Sequence, residues 1–295
     1  MRKRVAQFKA RWMVLAGILL SVTFFGSFAQ AETITIAAPY LGWVTNTLEK
    51  DIEHNNNTFT LELEDSGFLG GFYLQSINTS LFQWNAFAYY SPDVNYSTLW
   101  GGHFIVDFYP MGDFLGKYLV GAGVEVIRID MDAGNNIKVP AGPPPATTTL
   151  EGFTFTNTIL IPYARVGKYF VFGMGPLQIS VLPWVGATYE SVAGTIQFRA
   201  QFAPPPTPKT AIDETFDDSA WYATAGINLK FTLFRFIDME GKYQAIFDGD
   251  VYHPSFSVIA NVFFSRNWGV SYRYKYMETS GGSDAYNLFG VAYVF

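Results

Sequence analysis

Three histidines, His54, His103 and His253, are all the imidazole in this 295-residue chain, and it has no cysteine. Thiol nucleophiles, thiolate metal sites and disulfide scaffolds are thereby excluded. His103 shares a strand face with Asp107. Four residues of strand span about 13 Å, beyond a direct hydrogen bond. His54 and His253 fall in loop-like stretches beside Asn55–Asn57 and Pro254. No two histidines stand at metal-ligand spacing, and no Gly-x-Ser-x-Gly elbow occurs. Asp248-Gly-Asp250 and Asp217-Asp218 do not complete an alternating loop of oxygen ligands for Ca²⁺. No catalytic, cofactor or metal site is expected.

The remaining chemistry lies in charges set among apolar residues at every second position. Trp268, Val270, Tyr272, Tyr274 and Tyr276 oppose Ser271, Arg273 and Lys275. Met239, Tyr243 and Phe247 oppose Asp238, Glu240 and Lys242, and Trp221, Ile227, Leu229 and Phe231 oppose Thr224, Asn228 and Lys230. Trp100, Phe104, Val106 and Phe108 oppose His103 and Asp107, and Glu125 is assigned to the polar set. Period two means strands, each with one apolar and one polar face. An Arg or Lys turned to a bilayer midplane costs about 2–4 kcal/mol, so if these strands span a membrane the polar faces line a lumen. His103, Asp107, Glu125, Lys230, Glu240, Lys242, Arg273 and Lys275 are the lumen candidates.

Composition agrees. Aromatics, at 18%, outnumber charges, at 15%, the inverse of a soluble domain. Beyond Phe28 no apolar run reaches the length of a spanning helix. Read back from Phe295, short connections alternate with long ones and delimit twelve strand regions, with ten or fourteen as alternatives. They lie near 33–46, 58–77, 80–91, 97–109, 117–131, 153–172, 177–203, 219–234, 237–247, 254–264, 266–277 and 284–295. Residues 58–77 and 177–203 are long enough to hide a bulge or break. Outer loops are expected at 47–57, 91–97, 132–152, 204–218, 247–254 and 277–284; the two long ones, 132–152 and 204–218, contain Pro143-Pro-Pro145 and Pro204-Pro-Pro206, which stiffen a chain into extended polyproline II.

The two ends carry the specific signals. Arg2, Lys3, Arg4, Lys9 and Arg11 precede a largely apolar Trp12–Phe28 and then Ala29-Gln-Ala31, the pattern of a secretory signal cleaved before Glu32. Removing residues 1–31 leaves 14 of the 19 basic residues against 25 acids, a net of −11, which argues against nucleic acid as a partner. The last strand holds Gly290, Tyr293 and Phe295, a glycine followed by two aromatics at alternate positions, the last terminal. This ending resembles the assembly signal of bacterial outer-membrane β-barrels.

That resemblance implies an all-β fold, a transmembrane antiparallel up-and-down barrel over residues 32–295, in the outer membrane of a Gram-negative-type bacterium. The expected partners are outer-membrane lipid and the barrel-assembly machinery. The function expected first is a passive channel for small solutes with a mixed-charge lumen. The alternatives are a closed structural or surface-binding barrel using its Pro-rich loops and, third, an envelope lipid-modifying enzyme resting on His103 and Asp107.

Overall fold

The computed structural model describes residues 33–295 apart from 55–56, 79–81, 95–96, 114–115, 135–136, 141–146, 175, 201–208, 235, 250 and 280–281. The expected secretory signal, residues 1–31, and both proline triplets lie outside the described residues. Thirteen strands follow in order: β1 Thr33–His54, β2 Asn57–Asn78, β3 Phe82–Val94, β4 Ser97–Asp113, β5 Gly116–Gly134, β6 Ile137–Pro140, β7 Thr147–Met174, β8 Leu177–Ala200, β9 Thr210–Leu233, β10 Ile237–Asp248, β11 Val251–Phe263, β12 Trp268–Thr279 and β13 Gly282–Val294. All pairings are antiparallel. Twelve strands form a ring that closes where β1 zips to β13, from Ile36 opposite Val294 to Leu48 opposite Gly282. The short β6 pairs only with the tip of β7, while β5 pairs with the rest of β7. Closure removes every edge that lipid would leave unpaired.

Alternation sets the two faces. Outward on β8 lie Ile179, Val181, Pro183, Val185, Ala187 and Tyr189, then Ser191, Thr195, Gln197 and Arg199. On β9, Trp221, Ala223, Ala225, Ile227 and Leu229 give way to Ser219, Asp217, Thr215 and Asp213. The change falls at one register, because Tyr189 opposes Trp221 and Ser191 opposes Ser219. From Ile179 to Tyr189 is about 34 Å of strand, or roughly 26 Å of height at a 40° tilt, which matches a hydrocarbon layer. Tyr189 and Trp221 pack at 5.1 Å on one border. Phe172, Phe234, Phe236, Phe264 and Phe295 are exposed on the other, called here the inner rim. Lys168 is an outward cation, but its ammonium rides 4.8 Å over the Tyr118 ring and 5.6 Å over Phe170. The chain is a membrane-spanning barrel of the outer-membrane kind.

The structure corrects the expected strand ends. β1 and β2 pair without interruption out to His54 and Asn57, where an outer loop was expected. Much of the expected loop 204–218 is strand β9, and the loop expected over 247–254 is a tight hairpin with Asp248 opposite Val251 and Gly249 at φ 59°. The register shifts lie in β3/β4, β4/β5, β5/β7 and β7/β8. The long runs 58–77 and 177–200 pair without a break with β1 and β9. The outer rim is uneven in consequence: β7, β8 and β9 rise above the belt as a wall, while β10 to β13 stop near it.

Candidate functional site

Charged side chains line the interior of the barrel at successive depths. Nearest the inner rim, Lys230 on β9 meets Asp238 on β10 at 3.2 Å, and Thr232 donates to the same carboxylate at 2.9 Å. Deeper in, Arg165 from β7 grips Asp107 from β4: Nη2 donates to Oδ2 at 2.7 Å and Nε to Oδ1 at 3.1 Å. Gln83 adds a donor at 3.2 Å, and both members of the pair are buried. Gly121 makes room for it, since a Cβ there would come within 2.2 Å of Asp107 Oδ1. Glu240 accepts from Asn228 at 3.1 Å, and Asn228 accepts from the Trp184 indole at 3.1 Å.

Arg273 and Lys242 are among the interior cations that rest on aromatic faces. Arg273 lies 4.2 Å from the Phe87 ring centre and 4.9 Å from Tyr73, with Nη2 3.3 Å from His103 Nε2. Lys242 lies 5.6 Å over both Tyr163 and Trp184. His103 also stands 3.1 Å from Asn85 Oδ1. Asp107 is held by Arg165, so His103 and Asp107 do not meet. His253 Nδ1 is 3.5 Å from Glu278 Oε1 at the outer rim. Among the described residues no group of acids and histidines could hold a metal.

Lys275 on β12 is bonded to Glu125 on β5. In a ring of twelve these strands are six apart in either direction, so the pair crosses the lumen along a diameter. A round twelve-stranded barrel has a backbone diameter of roughly 24 Å. Extended Lys and Glu side chains joined by a hydrogen bond reach about 14 Å. The ring is therefore oval, drawn in between β5 and β12.

The interior departs from the polar lumen expected of alternation alone. Leu69, Tyr73, Phe87, Tyr89, Leu99, Ile127, Ile129, Phe153, Phe155, Ile196, Phe198 and Leu288 belong to one buried apolar cluster. Its upper part is the inner face of the β7–β9 wall against β5, where Phe153 stacks on Phe198 at 6.0 Å and Phe155 on Phe216 at 6.1 Å. Inward residues above the membrane need not be polar when the wall curls over and packs on itself. A cavity of about 10 Å³ lined by Val44, Asn46, Ser91, Leu99 and Ile129 has room for roughly one water.

All eight lumen candidates stand on the inward face. The structure joins Asp107 to Arg165, Glu125 to Lys275, Lys230 to Asp238 and His103 to Arg273. Sequence reasoning missed Arg165, Tyr163 and Trp184. The signal for Arg165 was present, as a cation between the apolar Ala164 and Val166 in the expected strand 153–172, whose faces had not been assigned. At the closing seam, Tyr293 packs on Trp268 at 4.6 Å and on Phe295 at 4.8 Å, and the Phe295 amide donates to the Thr35 carbonyl. Gly290 faces inward, where a Cβ would meet the Tyr40 ring at 2.8 Å.

No family model matches the sequence, and no curated protein does. Among solved structures, the chain is similar to the translocator domain of the autotransporter NalP from Neisseria meningitidis, at 12% identity over 97% of each chain and a TM-score of 0.47. It is similar to a mutant of the monoaromatic hydrocarbon channel TodX, at 10% identity over 91% of each chain and a TM-score of 0.45. A third is the KdgM porin, at 9% identity over 86% of this chain and 99% of that one, with a TM-score of 0.38. Likeness at this level says nothing of function.

Proposed function

We propose that the protein is a narrow channel for small solutes in the outer membrane, closed in this conformation by the Glu125–Lys275 strut and the apolar packing above it. The observation that carries the reading is the succession of buried charges through the depth of the belt. A barrel that only had to be filled would gain nothing from them, because well-packed apolar residues replace buried ion pairs at no loss of stability. Ionisable groups at membrane depth mark solute paths. In this reading the passive channel expected from sequence is gated, and its mixed charges set selectivity when open. Gly290, Tyr293 and Phe295 serve the assembly machinery in this reading.

The test is planar-bilayer recording of the wild type beside a Glu125→Gln, Lys275→Met double variant, which removes both charges and strands neither. Rare, small steps are expected from the wild type and at least tenfold higher open probability from the variant. Silence from both, in heat-modifiable and therefore folded protein, would favour the second reading, a closed surface-binding barrel. The tall β7–β9 wall is the observation that favours it.

A further inference from the structure

On the inward face around Trp184 two cations lie together and buried donors stand without acceptors. The Arg165 guanidinium lies 5.4 Å from the indole ring and the Lys242 ammonium 5.6 Å, so two cations share one platform. That platform is fixed: Asn228 accepts from the indole nitrogen, and Gly226 leaves the space the ring fills, a Cβ there coming within 2.4 Å of it. Asp107 answers Arg165 through Nε and Nη2, and Glu125 answers Lys275. Glu240, two positions from Lys242 on the same inward face, accepts from Asn228, whereas the Lys242 ammonium lies over the rings of Tyr163 and Trp184. Arg165 Nη1 and the Tyr163 hydroxyl are buried without a hydrogen-bond partner, although Arg165 is only 4% exposed. A buried donor left unpaired, beside like charges in a low dielectric, is costly and calls for an acceptor.

We propose that the barrel interior binds a small monoanion, of halide or simple carboxylate size, between the Lys242 ammonium and the Nη1 edge of Arg165 over the Trp184 indole. The anion would face the Lys242 ammonium and accept from donors that the protein leaves open. The site goes beyond the channel reading and does not depend on conduction, since a closed barrel would hold the ion equally well. If the barrel does conduct, the site would favour anions.

Iodide is the probe, because it quenches indole fluorescence. Among the described tryptophans Trp184 faces inward, whereas Trp43, Trp84, Trp100, Trp221 and Trp268 lie at outward positions. In detergent-solubilised, heat-modifiable protein at constant ionic strength with gluconate, wild-type quenching should contain a saturable component above the linear collisional one. That component should vanish in Trp184→Phe, weaken at least tenfold in Lys242→Met and survive in Lys242→Arg. Purely linear quenching of the wild type, or an unchanged saturable component in Lys242→Met, would overturn the proposal. A silent bilayer would leave a positive result intact and count only against conduction.

Discussion

Asp107 and Arg165 show what each interior side chain asks of its neighbours. The pair is bidentate and buried, so removing one partner strands a charge. Asp107→Ala should lower the unfolding free energy by about 3–5 kcal/mol, whereas Asp107→Leu with Arg165→Met should come out near neutral. Urea unfolding in lipid vesicles, followed by tryptophan emission, measures both; equal losses in the two variants would contradict the pairing. Single residues were legible where alternation was clean, as at Arg273 and Lys275 between tyrosines. Partners were not. Nothing local in Val166 or Ile161 announces that Arg165 will cross to a strand 58 positions away, because register around a closed ring is a property of the whole sheet.

Strands carry their boundaries on the outward face. The switch between Trp221 and Ser219 places the edge of the hydrocarbon on β9. Leu229→Arg should therefore destabilise by about 2–4 kcal/mol and Thr215→Arg by roughly zero, since the cost of an outward cation depends on depth. The same unfolding measurement separates them, and a comparable loss at both would move the edge. This boundary also explains the extent to which strands were legible. Twelve ring strands followed from periodicity and from the spacing of turns, and the ring has twelve. Outer ends such as that of β9 were misread as loop because above the belt the alternation reverses, Ile212 and Phe216 turning inward and Asp213, Thr215 and Asp217 outward, so the run reads as polar chain. Asp213, Glu214, Asp217 and Asp218 read as solvated loop yet lie on paired β9.

The whole molecule closes by one seam and narrows along one axis. At the seam, Tyr293 and Phe295 form an aromatic border with Trp268; changing both to Ser should reduce the heat-modifiable, membrane-inserted fraction severalfold in cells, and normal insertion would refute their role. The seam was foreshadowed by the last ten residues. The oval section was not, since it depends on two residues 150 positions apart finding each other across the lumen. That contact is the centre of the account, and electron–electron distance measurement tests it most directly. Spin labels on Val126→Cys and Tyr274→Cys, outward neighbours of Glu125 and Lys275 in a chain free of other cysteines, leave the strut intact. After allowance for the label arms, the account predicts a backbone separation of about 14 Å, and a separation near the roughly 24 Å of a round twelve-stranded barrel would contradict it.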